Sequence, residues 1–239
     1  WEGRERMRDF DVFVRADGET YRYLINNANF RSFMKVVKVD AETGKAIPYA
    51  GAGFRIYRPD GSLVSMTFTY PEVTTIDTFY TNEEGFLITP EKLEYGKGYT
   101  LKEVSAPYGY VLCAEGVSFD VTEDNSTEEN AVKIVEVKLG NYAQKGVIKI
   151  SKSGEVFASV TESDGIYQPV YAVQGLPGAV YEIKAAEDIF TLDGTRRYRA
   201  GEVVDTVTTG EDGPAESQPL YLGKYEITEI QAPDGMVLN

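Results

Sequence analysis

The chain contains no histidine and a single cysteine, Cys113, which narrows the chemistry open to it. Without histidine there is no Ser-His-Asp or Cys-His nucleophile, no imidazole-ligated zinc and no imidazole pH switch. One cysteine makes neither an intrachain disulfide nor a thiolate metal cluster. A Gly-rich phosphate loop is absent, and the acidic stretch Asp120–Asn130 lacks the spacing of a calcium loop. No metal or cofactor is therefore expected. What remains is the chemistry of amines, carboxyls and side-chain amides, and such residues recur at matched positions: Lys38 and Lys152, Glu103 and Glu229, Asn27 and Asn141. Asn27 stands 11 residues before Lys38, and Asn141 stands 11 before Lys152.

The elements that must position these residues are strands. Runs rich in Val, Ile, Tyr and Phe cover Phe33–Val39, Phe54–Tyr57, Gly98–Val104, Val117–Thr122, Ile134–Leu139, Val147–Ser151, Val180–Lys184 and Lys224–Ile230. Asp-Gly and related turn pairs separate them, as at Asp60-Gly61, Glu84-Gly85, Asp193-Gly194 and Asp212-Gly213. Helical periodicity is weak, with one turn expected at Glu91–Leu93. The pattern predicts an all-β protein of sandwich or barrel type.

The pattern also repeats. Gly51-Ala52-Gly53-Phe54 is echoed by Gly178-Ala179-Val180-Tyr181, and Thr81-Asn82-Glu83-Glu84-Gly85 by Thr209-Gly210-Glu211-Asp212-Gly213. Leu101-Lys102-Glu103-Val104-Ser105-Ala106-Pro107-Tyr108-Gly109 is echoed by Ile227-Thr228-Glu229-Ile230-Gln231-Ala232-Pro233-Asp234-Gly235. The body is nearly constant in length, 52 positions from Gly51 to Glu103 and 51 from Gly178 to Glu229. Lys152 to Gly178, however, is 26 positions against 13 from Lys38 to Gly51, which places an insertion within Gly154–Ala172. Two tandem domains follow, residues 30–143 and 144–239. Residues 1–29, with Phe10–Val14 and Tyr23–Asn27, read as the terminal hairpin of a preceding or partner domain, and the second domain lacks its own last strands. The chain starts at Trp1, so it reads as an internal piece of a longer polypeptide, with any export signal or wall anchor outside it.

Charge and composition bound the partners. Among 239 residues, 24 Lys and Arg face 38 Asp and Glu, a net charge of −14, which argues against nucleic acid and anionic membrane. A hydrophobic content of 42%, with 12% aromatic, suffices for packed cores. No apolar run approaches the ~18 residues that would span a bilayer.

Lys38-Val39-Asp40 with Thr43-Gly44, the Gly-Ala-x-Phe strand, and the doubled Glu-x-x-Ala-Pro motif resemble the Cna B-type, prealbumin-like domain of Gram-positive surface adhesins and pilins. The resemblance covers Phe33–Asn141 well and Val147–Asn239 in part. It implies tandem Greek-key β-sandwiches in an extracellular, wall-anchored stalk or pilus shaft. It further implies a spontaneous isopeptide bond between a Lys on the first strand and an Asn on the last, promoted by a buried acid. On that basis Lys38 and Asn141 are the bonded pair, Glu103 promotes the bond, and Glu229 is its counterpart in the second domain. Strand parity agrees with this assignment. Met34, Val36 and Lys38 share a face, as do Leu101 and Glu103, and Val135, Val137, Leu139 and Asn141. Burial would lower the Lys pKa and raise the Glu pKa, making a neutral amine accessible beside a neutral acid. The reaction turns over once and makes a cross-link, so the protein is not expected to be an enzyme.

For Lys152 and Glu229 no later Asn in the chain is suitably placed. An unreacted ion pair is expected there, unless Asn27 of another copy completes the site by strand exchange. Cys113 reads as a small core residue. No pilin motif with a sortase-reactive Lys is evident, which favours an adhesin stalk over a pilus backbone. The rival reading is a module that binds a host ligand or carbohydrate through the 154–172 insertion or the 66–78 segment.

Overall fold

The computed structural model describes residues 11–22 and 29–238. Among them the chain is all strand and turn, with no helix. It divides into two compact units, one reaching Pro107 and taking in Leu112–Asn141, the other holding Tyr108–Val111 with the residues after Asn141.

The first unit is a two-sheet sandwich. Its sandwich strands are β1 (Arg31–Asp40), β2 (Gly53–Tyr57), β3 (Phe79–Tyr80), β4 (Phe86–Ile88), β5 (Gly96–Ser105), β6 (Val117–Val121) and β7 (Val132–Asn141). One sheet runs β3-β2-β5-β6; the other places β1 between β7 and β4. The pairing of β1 with β7 is parallel and sets Lys38 opposite Leu139 and Asp40 opposite Asn141. Alternation along β1 is complete: Met34, Val36 and Lys38 are fully buried, while Lys35 and Val37 are half-buried. Met34, Val36, Phe54, Ile56, Leu101, Phe119, Val135, Val137 and Leu139 form one core between the sheets.

The second unit contains β8 (Lys149–Ser151), β9 (Ser153–Ser163), β10 (Ile166–Gly175), β11 (Val180–Ala185), β12 (Val203–Thr208) and β13 (Tyr225–Gln231). β11 lies between β12 and β13. Ile183, Ala185, Ile189, Val204, Val207 and Leu220 make a smaller core. Ile227 is 44% exposed, whereas its counterpart Leu101 is fully buried. Among the described residues, no strand of this unit takes the place that β7 takes in the first.

Three sequence expectations are corrected, and the expected insertion takes a definite form. Glu91–Leu93 forms no helical turn; Leu93–Glu94 pairs with Arg31–Ser32 along the edge of β1, and that edge pairing decides the local conformation. The run Val147–Ser151 is interrupted, because Lys145–Gly146 pairs with Leu220–Tyr221 and Lys149–Ser151 with Pro214–Glu216. Asp11–Val14 carries no strand; the rest of the expected N-terminal hairpin, including Asn27, lies outside the described residues. The insertion is a long antiparallel hairpin of β9 and β10. Its turn, Asp164-Gly165, has φ of 53° and 73° at the two positions, the left-handed pair that a two-residue hairpin turn requires.

Candidate functional site

β1, β5 and β7 bring Lys38, Glu103 and Asn141 together in the core of the first unit. The side chains of Lys38 and Glu103 are both 0% exposed, and Asn141 is buried. Lys38 Nζ donates to the Leu139 carbonyl at 2.8 Å and contacts Asn141 Oδ1 directly. Glu103 spans the other two groups. Its Oε1 lies 3.3 Å from Lys38 Nζ, and its Oε2 accepts Asn141 Nδ2 at 2.8 Å. Oε2 also accepts the main-chain N–H of Cys113 at 2.7 Å. Oε1 is buried and accepts no hydrogen bond. The carboxylate is thus held by two donors on one oxygen and keeps the other turned to the amine.

Burial dominates the electrostatics of Lys38. Loss of water pulls its pKa down from 10.5 to about 8, against the opposing pull of the Glu103 carboxylate. A sizeable fraction of the amine is then neutral, and so nucleophilic, near neutral pH.

The main chain fixes the lysine as well. Lys38 donates its N–H to the Gly85 carbonyl at 2.9 Å and accepts that of Ile47 at 2.9 Å. Gly85 has φ +81°, and a Cβ there would fall on the Ile47 carbonyl. Thr81, four residues before Gly85, accepts the Ala52 N–H at 3.0 Å and donates to the Tyr49 carbonyl at 2.7 Å. The second unit repeats this clamp. Lys152 N–H donates to the Gly213 carbonyl at 2.8 Å, Gly213 has φ +87°, and Thr209 accepts Ala179 N–H at 3.0 Å and donates to the Leu176 carbonyl at 2.8 Å. The repeated Thr-x-x-x-Gly of the sequence is therefore a buttress for the main chain at each lysine.

The side-chain environments of the two lysines differ. Lys152 Nζ lies 2.9 Å from Glu229 Oε1, with side-chain exposures of 18% and 6%. Its hydrogen bond to Glu229 raises the Lys152 pKa, opposite to the lowering expected for a buried lysine, because here that hydrogen bond outweighs the loss of water. No Asn side chain joins this pair among the described residues, and the placement of Asn27 lies outside them.

Two features escaped sequence reading. Cys113 packs against the first core as expected, but its main-chain N–H also anchors Glu103, which no residue-type pattern announces. The second is the hairpin, signalled by Asp164-Gly165 between alternating runs. The 66–78 segment is a short hairpin, Met66–Phe68 with Thr74–Ile76, whose tip exposes Tyr70 and Val73.

The family model of the SpaA prealbumin-like fold domain matches residues 33–143 and 171–239, and the chain belongs to that family. The Bacillus anthracis TIE protein is 27% identical with a TM-score of 0.48, over 88% of this chain and 30% of that one. A streptococcal ancillary pilin is 20% identical with a TM-score of 0.37, over 95% and 62%. BcpA, the major pilin subunit of Bacillus cereus, is 15% identical with a TM-score of 0.38, over 85% and 89%. The chain thus spans less than two thirds of the first two. No curated protein matches it.

Proposed function

We propose that this chain is a stalk segment of a Gram-positive surface adhesin or pilin, whose first domain locks itself with an isopeptide bond from Lys38 to Asn141. The observation that carries the reading is a single buried carboxylate bridging an amine and the side-chain amide beside it. Neutral Lys38 Nζ attacks Asn141 Cγ. Glu103 accepts the proton lost by Nζ and delivers it to Nδ2 as the Cγ–Nδ2 bond breaks. One Nζ–Cγ bond forms, one Cγ–Nδ2 bond breaks, and ammonia leaves. No catalyst is regenerated for another substrate, so the domain is not an enzyme. The family match supports the stalk role. In this reading the protein lies outside the cell, attached to the wall through regions beyond these residues, with adjacent domains of the same polypeptide as its partners.

The bond would join residues 103 positions apart in sequence. By the chain-entropy model used for disulfides, closing such a loop is worth roughly 4–5 kcal/mol. Tension entering along β1 would leave through Asn141 without unfolding what lies between. In the second domain, residues 144–239, the Lys152–Glu229 pair is the same device awaiting an Asn on a parallel strand. Asn27 of another copy is the candidate that sequence spacing offers.

Intact mass of the denatured protein, with peptide mapping, tests both parts. The expected result is a chain lighter by one ammonia, with Lys38 and Asn141 peptides joined. An unaltered mass would leave the three residues as a buried polar cluster and remove the self-locking function. Peptides joining Lys152 to Asn27 between chains would establish strand exchange, and a strictly monomeric mass would remove its covalent form.

A further inference from the structure

The hairpin β9–β10 is built unlike anything in the first unit. The family match omits residues 144–170, and so all of β9, the turn and the first half of β10. The two strands pair only with each other among the described residues, so both outer edges carry unpaired main-chain groups. Natural sheets blunt such edges with lysine, yet Ser153–Gly175 contains no Lys or Arg and three acids, Glu155, Glu162 and Asp164.

The register sorts its side chains into two different faces. The pairs Glu155 with Val173, Phe157 with Tyr171, Val160 with Pro169 and Glu162 with Tyr167 occupy one face, a bulge at Ala158 keeping them in line. Phe157, Val160, Tyr167, Tyr171 and Val173 are all more than half exposed there, and Phe157 meets Tyr171 edge-on at 6.4 Å. This is a continuous aromatic and aliphatic stripe bracketed by two carboxylates. The other face carries Val156, Val170, Ala172 and Ile166 among Ser, Thr and Gln. Exposed apolar stripes of this kind mark contact surfaces.

We infer that this hairpin is a docking edge for an extended basic polypeptide segment, added as a third strand, in which Lys or Arg alternates with aliphatic residues. Strand addition satisfies the open edge through main-chain hydrogen bonds, and alternate side chains supply selectivity. Cations on one face lie beside Phe157, Tyr167 and Tyr171, with Glu155 and Glu162 to pair with them. Aliphatic residues on the other face extend the Val156, Val170 and Ile166 surface. Charge decides against a second copy as the occupant, since two hairpins would bring three acids against three with no cation between them.

The test uses the full chain and a fluorescein-labelled octapeptide of alternating Arg and Val, titrated by fluorescence anisotropy at about 0.15 M salt. Binding is expected for this peptide and not for its Glu-Val analogue. The double variant Phe157→Ser with Tyr171→Ser, which leaves net charge unchanged, is expected to bind about tenfold more weakly. Glu155→Gln with Glu162→Gln should also weaken binding several-fold, while Glu83→Gln with Glu84→Gln, an equal charge change on an exposed turn of the first unit, should change it less than about twofold. Wild-type affinity in the Phe157/Tyr171 variant, or equal weakening by the remote pair, would overturn the inference by reducing the attraction to net charge. Competition by maltoheptaose would assign the stripe to glycans instead. A sedimentation dimer abolished by the Phe157/Tyr171 substitutions would assign it to a second copy.

Discussion

Replacing Glu103 by Gln is the most direct challenge to the self-locking domain. Gln is nearly isosteric, and its carbonyl oxygen can still accept the Cys113 N–H and the Asn141 amide that now meet Oε2. What it cannot do is take a proton from Lys38. The chain should therefore fold, retain its ammonia, and lose the closure of the 103-residue span from Lys38 to Asn141. That loss is about 4.7 kcal/mol on the disulfide scale. For a unit of roughly a hundred residues, where each kcal/mol moves the midpoint by about 4–5 °C, the first unit should melt about 20 °C lower. Intact mass gives the bond, and calorimetry resolves the two units. A Glu103→Gln chain that still lacks one ammonia would refute the proton-shuttle role of the carboxylate. A variant that keeps its ammonia yet melts within a few degrees of wild type would refute the claim that the bond stabilises the unit.

Other perturbations separate the parts of the site. In Asn141→Ala, Lys38 stays unbonded with its pKa depressed below 10.5; the unfolded chain then binds more protons than the folded one from about pH 8 to 10.5, so stability should rise across that window, by up to about 3 kcal/mol, as urea titrations at successive pH values would record. Cys113→Ser should leave the cross-link intact because only the main-chain N–H holds Glu103, whereas Cys113→Pro, which removes that donor, should leave a measurable fraction of chains uncross-linked by mass. Gly85→Ala forces a left-handed φ and a clash with Ile47, and should destabilise the first unit by about 2 kcal/mol or more in chemical denaturation.

How much of this was legible in the sequence differs from residue to residue. Strand parity placed Lys38 with Met34 and Val36, and all three are fully buried; parity is a local property of the pleat, so sequence exposes it. The doubled Glu-x-x-Ala-Pro motif likewise pointed to the prealbumin-like family. Ile227 has the same parity signal as Leu101 but is exposed, because burial also needs a covering strand, which parity does not supply. Lys152 shares its pattern with Lys38, yet its pKa moves the other way, since the balance between desolvation and a hydrogen-bonded partner is set in three dimensions. The Cys113 N–H donor was invisible for a simpler reason: every residue except proline carries one. The β9–β10 hairpin was readable from Asp164-Gly165, but its length difference from the first repeat marked it as an insertion and drew attention from its alternation.

The parallel placement of β1 beside β7 has one more consequence. It brings Asp40 beside Asn141, so that the proposed bond would make residues 38 and 141 the junction of a closed ring, with Lys38–Asn141 as its clasp. The exposed tip of the Met66–Ile76 hairpin, with Tyr70 and Val73, is a natural target for a protease. Once the clasp is shut, a single cut there opens the ring without parting the polypeptide, because the chain on either side remains joined through the side chains. Two cuts would release a fragment, but the path from Arg31 through Lys38 to Asn141 and onward would still be unbroken. A nicked protein of this design would migrate as one species under denaturing conditions and still carry tension from Arg31 to the residues beyond Asn141.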